Sequence, residues 1–223
     1  MAPAGLDSER AATGRGRPAA EGLAIMGYPV QVTIARDNGQ NRLWGLLGLG
    51  SFVRALLCIP QAIVLFLLAF VVWLAALLSW IPILVNGRQA GWVYWGVGGV
   101  LRLTARVNLY VGLVTGAYPP IGPEGTHTVE VVFDQSEAQN RLWGIPFVGA
   151  LVRVIVLLPH LIVLWALGIV VGFLVAFSWL PVLISGRQAD LVVQLVGGYY
   201  RWYTRVSAYA LLLTAAYPPF SLD

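Results

Sequence analysis

The sequence predicts an α-helical integral membrane protein of two parallel repeats. Each repeat is expected to hold a short β-strand, an apolar helical hairpin and an amphipathic interfacial helix. Three observations predict this. Gln40-Asn41-Arg42-Leu43-Trp44-Gly45 returns as Gln139-Asn140-Arg141-Leu142-Trp143-Gly144, and the offset of 99 then holds without a gap, giving 38 identities in 81 positions over 40–120 against 139–219. Hydrophobic residues make up 58% of the chain and charged residues 11%, about half the soluble norm. The apolar residues are clustered, with no charge in the 33 positions from Ala55 to Gly87 or in the 33 from Val154 to Gly186; runs of eighteen or more such residues are membrane candidates.

The repeat divides the chain into a tail over 1–27, a first repeat over 28–122 and a second over 123–223. The tail is rich in Ala, Gly and Arg and lacks the apolar segment of a signal peptide, so it reads as disordered, with Met26 as an alternative start. Each repeat opens on a period of two: Val30, Val32 and Ile34 in the first, Val129, Val131 and Phe133 in the second. β-branched residues at that spacing predict strands, which pair with each other in the simplest arrangement. Ser136 and Gln139 have the form of a capping box, and Asp37 and Gln40 hold the same places in the first repeat. Trp and Arg at the mouth of each apolar run suit a headgroup layer.

A single helix of 33 residues would rise about 50 Å, well beyond a hydrocarbon core of about 30 Å. The tract therefore allows two short crossings or a dip and return, turning near Ala69 and Gly168, with Arg54 and Arg153 snorkelling to one surface. A single crossing between Pro60 and Pro82, with 21 residues between them, is the alternative. An even number of crossings keeps all 14 Arg on one side, as the positive-inside bias favours. That places both termini in the cytoplasm and the chain in the cell membrane. The stretches 91–116 and 190–215 are read as further helices. Asp190, Gln194, Gly198, Arg201 and Arg205 share one face of the second. An interfacial helix with its Arg toward phosphates fits this pattern; a buried helix with Arg102 and Arg106 lining a polar interior is the alternative.

All basic residues are Arg, and they flank apolar runs instead of clustering on a soluble face. Lipid phosphates are the expected partners and nucleic acid is not. The candidate phosphate contacts are Arg88, Arg102, Arg106, Arg187, Arg201 and Arg205. Gln61 and His160 occupy matching places in the apolar tracts and are the candidate polar intramembrane residues. No His, Cys or carboxylate group has metal-ligand spacing, and the lone Cys58 allows no disulfide framework. No cofactor and no catalytic residue are expected.

The second repeat resembles a known family. Its strand, the run Arg153-Val154-Ile155-Val156-Leu157-Leu158-Pro159-His160-Leu161-Ile162-Val163-Leu164-Trp165, the Gly-Arg boundary, and Ala208-Tyr209 followed by Tyr217-Pro218-Pro219-Phe220 look like the prokaryotic membrane domain of unknown function 4389. The resemblance covers nearly all of 28–222, twice. The first repeat departs from it at Gln61, where the pattern has His, and lacks the aromatic after Tyr-Pro-Pro. The resemblance implies a bacterial or archaeal multi-pass membrane protein and carries over no catalytic residues. The expected role is a non-enzymatic membrane scaffold or accessory subunit, with other membrane proteins or a second copy as possible partners. A small transporter or channel is the alternative, favoured only by a continuous polar stripe.

Overall fold

The computed structural model describes residues 28–35, 39–122, 127–135, 138–145 and 148–223. The tail over 1–27, the start at Met26 and the cap residues Asp37 and Ser136 lie outside these. The described chain is predominantly helical and carries two copies of one unit. Its elements are β1 (Val30–Ile34), a 3-10 segment (Arg42–Gly48), α1 (Leu49–Leu57), α2 (Ile59–Leu78), α3 (Trp80–Asn86) and α4 (Gly91–Val111). The second copy follows with β2 (Val129–Phe133), a 3-10 segment (Arg141–Gly144), α5 (Val148–Phe177), α6 (Trp179–Ser185) and α7 (Asp190–Ala210).

The two strands form an antiparallel ribbon, as expected, with Val32 opposite Val131. These two residues are counterparts in the repeat, so a local twofold passes between them. Ala35 N–H donates to Thr128 O and Asp134 N–H to Pro29 O, which makes Val32–Val131 a non-hydrogen-bonded pair. Such partners point their side chains to one face, so the twofold runs perpendicular to the ribbon. Val30, Val32, Val129, Val131 and Phe133 pack on that face against Val93, Val97 and Leu101 of α4 and Val192 and Val196 of α7. The opposite face carries Thr33 and Glu130, both of them exposed.

A two-stranded ribbon is marginal alone. Here α4 lies along β2 and α7 along β1. Arg102 Nε donates to Val131 O at 2.9 Å and Arg106 Nε to Val129 O at 3.1 Å. The register turns those carbonyls away from the partner strand, so the arginines satisfy an edge that would otherwise be open.

The hairpin expected inside each apolar tract is absent. Ala69 and Gly168 lie in mid-helix, and α5 runs unbroken through 30 residues despite Pro159. A turn at either place would strip several N–H and C=O groups of partners with no polar side chain nearby to replace them. The reversal comes later. Gly87 (φ 65°) and Gly186 (φ 70°) adopt the left-handed conformation that ends α3 and α6. The chain then returns through α4 or α7, antiparallel to its own apolar helix, as the contacts Arg153–Tyr209, His160–Trp202 and Gly168–Tyr199 record. The hairpin is thus made of one apolar helix and one mixed helix. Ser79 and Ser178 mark a step in the tract, each hydroxyl donating to a carbonyl three residues back, Ala76 and Val175.

The copies interlock head to tail. Gln40 N–H donates to Gly186 O and Gln139 N–H to Gly87 O, both at 2.8 Å. The first 3-10 segment packs on α6 and the second on α3. Three layers result, with α4 and α7 between the ribbon and the apolar helices. They are therefore not free surface helices: Val196, Gly197, Trp202 and Val206 of α7 are buried.

The spans Ile59–Asn86 and Leu151–Ser185 are long and apolar enough to cross a membrane. Only 11% and 22% of their most apolar windows is buried. A core helix of a soluble protein would be mostly covered; these present Phe66, Phe70, Trp165 and Phe173 outward.

Candidate functional site

Arg54 and Arg153 do not snorkel. They are 1% and 0% exposed, the largest fully buried side chains among the described residues. Arg54 Nη1 donates to Tyr110 O (3.0 Å) and Thr115 O (2.8 Å), and its Nη2 to Gln40 Oε1 (2.9 Å). Its guanidinium also lies over the rings of Trp44 and Tyr110. Arg153 repeats this on Tyr209 O, Thr214 O and Gln139 Oε1, over Trp143 and Tyr209.

The cause lies at the helix ends. Leu113 (φ 59°) and Leu212 (φ 63°) break α4 and α7 in a left-handed turn that frees carbonyls in a buried place. Leu113 O receives Gln40 Nε2 at 2.8 Å and Gln188 Nε2 at 3.3 Å; Leu212 O receives Gln89 and Gln139, both at 3.0 Å. Each turn is thus held by one glutamine from each repeat. Two of these glutamines, Gln40 and Gln139, are the ones the sequence assigns to helix caps. The caps of the 3-10 segments are instead Asn41 and Asn140, whose side chains accept from Leu43 and Leu142 N–H.

Gln61 and His160 are both buried, as their place in the tracts implies, and each makes one hydrogen bond, while Gln61 Oε1 and His160 Nε2 find no partner among the described residues. Gln61 Nε2 donates to Pro119 O at 3.0 Å. His160 Nδ1 accepts from Trp202 Nε1 at 3.0 Å and its ring stacks on Phe220 at 3.8 Å between centroids. Each thus ties its apolar helix to the Tyr-Pro-Pro segment of its own repeat, as do the hydroxyls of Tyr118 on Leu57 O and Tyr217 on Val156 O.

The remaining candidates separate into two groups. Arg88 and Arg187 are exposed at the reversals, which the head-to-tail packing sets at opposite ends of the long helices. Arg102, Arg106, Arg201 and Arg205 lie in the middle layer. Arg106 is 4% exposed and sits near Glu130. Arg201 Nη1 donates to Leu222 O at 3.0 Å, and Arg205 lies over Tyr28. A cavity of about 120 Å³ opens between α2 and α4, lined by Leu68, Trp95, Gly99, Arg102, Arg106 and Ile121 among others. Beside it, His127 Nδ1 accepts from Val129 N–H. Burial, and then the Arg106 cation, push the His127 pKa below 6.5. Among the described residues no three His, Cys, Asp or Glu side chains gather as a metal site.

The model of a family described as a domain of unknown function (DUF4389) matches residues 49–121 and again 148–221. The chain belongs to this family. The two DUF4389 matches coincide with the two helical hairpins and begin at α1 and α5, so the ribbon strands and 3-10 segments precede each matched unit. No curated protein and no solved structure matches the chain.

Proposed function

We propose that this DUF4389 protein is a non-enzymatic scaffold of one membrane face. Its apolar helices lie along the bilayer within one leaflet, and the ribbon faces water. The observation that carries this reading is the layer order: an exposed Glu130 and Thr33 on one side of the twofold, bare apolar helices on the other. With the twofold along the membrane normal, both repeats enter the bilayer from the same side and α4 and α7 sit at headgroup level. Arg88 and Arg187 then reach lipid phosphate, each worth about 1 kcal/mol on an anionic surface. Crossing along the helix direction would instead put Glu130, level with the middle of α4, against hydrocarbon; insertion scales charge roughly 2.5–3.5 kcal/mol for an acid there.

Scaffolding is favoured over transport because Gln61, Ser79, His160 and Ser178 in the apolar tracts are each tied to a neighbour by one hydrogen bond, and of their buried polar atoms only Gln61 Oε1 and His160 Nε2 are left unpaired among the described residues. Gln61, Ser79 and Ser178 each hold a carbonyl, and His160 holds Trp202. They form no open stripe.

The test is labelling in intact cells and in inverted vesicles. In a Cys58→Ala background, single cysteines at positions 33, 88 and 187 should all react with an impermeant maleimide from the same side. Labelling of 88 and 187 from opposite sides would replace this reading by crossing helices.

A further inference from the structure

The interlock of the repeats gathers four arginines into two pairs. Gln139 N–H donates to Gly87 O, and Arg88 forms a backbone bridge with Ala138, so the chain entering the second 3-10 segment runs beside the reversal of the first repeat. Arg141 follows, and its side chain lies along Gly87, where an added Cβ would stand 3.7 Å from Arg141 Nε. Arg88 is the next residue. The other end is built the same way: Gln40 N–H donates to Gly186 O, and an added Cβ at Gly186 would stand 3.4 Å from Arg42 Nε, next to Arg187. All four arginines are exposed. Among the described residues none of their side chains holds a hydrogen bond or an ion pair. Arg54, Arg102, Arg106, Arg153 and Arg201 differ, since each donates to a main-chain carbonyl. Both pairs are flanked by exposed apolar residues of the same packed elements, Val85 and Leu142 at one end, Ile184 and Leu43 at the other.

We propose that each pair, Arg88 with Arg141 and Arg187 with Arg42, is a composite site for the phosphate of one anionic phospholipid, so that a bound headgroup joins the two repeats. Each site takes one guanidinium from each repeat, and a guanidinium offers the parallel N–H donors that phosphate oxygens accept. A free phosphate would use the arginines alone; the apolar flanks suit the chains of an amphiphile. The competing role is charge placed near the C-terminal ends of α3 and α6, which favours a cation without any ligand. The inference deepens the proposed function and rests on it for the membrane surface as the source of the phosphate. The pairing rests on the interlock, which is the same whether the two ends meet one leaflet or two.

The full chain, purified in neutral detergent, is titrated with phosphatidylglycerol, with phosphatidylcholine and with inorganic phosphate. Bound lipids are counted by native mass spectrometry and unfolding is followed on heating. Two phosphatidylglycerols per chain should bind roughly twenty-fivefold more tightly than phosphatidylcholine, each arginine of a pair contributing about fivefold. Arg88→Gln or Arg141→Gln should weaken one site about fivefold and leave the other as in the parent. Arg88→Gln with Arg141→Gln should still keep one parental site, whereas Arg88→Gln with Arg187→Gln should weaken both. Melting without lipid should be unchanged in every variant. Parental binding by Arg141→Gln, or weakening of both sites by Arg88→Gln with Arg141→Gln, overturns the pairing. Lower melting without lipid, at an unchanged lipid count, overturns it in favour of the helix-end role. Inorganic phosphate that raises the melting midpoint as far as phosphatidylglycerol does overturns the lipid. So does a parent that binds phosphatidylcholine equally, or none of either; gain of binding in Asp37→Asn with Glu137→Gln would then assign the arginines to those carboxylates. The labelling experiment tests the placement separately. Opposite-side labelling with two lipids bound removes the leaflet placement and leaves the pairs, and same-side labelling with none bound removes the pairs alone.

Discussion

Gly45 of the first repeat lies directly against the backbone of Leu183 in the second, where a methyl group on Gly45 would collide with the Leu183 amide. Gly144 stands in the same relation to Leu84, with an added Cβ 2.6 Å from its nitrogen. Gly45→Ala and Gly144→Ala should therefore each cost about 1–3 kcal/mol by overpacking. Thermal unfolding in detergent would measure it. Gly91→Ala, where an added Cβ meets no described atom, is the control and should leave the transition unchanged.

Arg54→Leu should be among the most damaging single changes. It leaves the carbonyls of Tyr110 and Thr115 and the amide oxygen of Gln40 without their donor in a closed space. Each buried acceptor left unsatisfied costs about 1–3 kcal/mol. Arg54→Lys keeps the charge but cannot span three acceptors and should fall between. Urea or thermal titration of the purified protein gives the ranking, and a Lys variant no better than Leu would show that the charge itself contributes little.

His160→Ala should destabilise more than Gln61→Ala, although the two residues are repeat counterparts. His160 accepts from Trp202 and packs against the rings of Tyr217 and Phe220; Gln61 offers one bond to Pro119 O. The orphaned Trp202 N–H alone accounts for about 1–3 kcal/mol. Parallel melting curves check the order.

Stability should fall on acidification below about pH 6.5. The folded His127 pKa is lowered, so between the folded and unfolded values the unfolded chain binds the extra proton. In that window stability rises with pH, and above it the residue contributes no further slope. His127→Gln should flatten the decline between pH 6.5 and its lower folded value. An unchanged slope in the variant would assign the acid sensitivity to other groups.

Much of this architecture is written locally. The alternation around Val32 and Val131 forecasts both strands, and the charge-free runs forecast both apolar helices. The length of the tract set against bilayer thickness puts the reversal at mid-tract, where the chain does not turn. Gly87 and Gly186, each just after the last apolar turn, are the helix-ending signal, and nothing near Ala69 or Gly168 competes with them. The buried arginines are hidden from sequence for a different reason. Arg54 and Arg153 have the flanks of a snorkelling residue, and their carbonyl acceptors lie 56 to 61 positions away in a turn around a leucine at positive φ. A left-handed Leu leaves no trace in a sequence, so the need for a cation at that point is invisible until the chain closes.

The pairing of Val32 with its own counterpart has a genealogical consequence. A surface that meets itself across a twofold is the surface of a homodimer. One repeat, 28–122, carries both halves of three of the inter-repeat contacts: the strand, the glutamines and the glycine that fits a partner's short helix. Two separate copies of such a half-chain would find the same interlock in each other. Joining them end to end makes the encounter intramolecular and frees each copy from having to remain identical. Phe220 against Ile121, and His160 against Gln61, are where that freedom has been used.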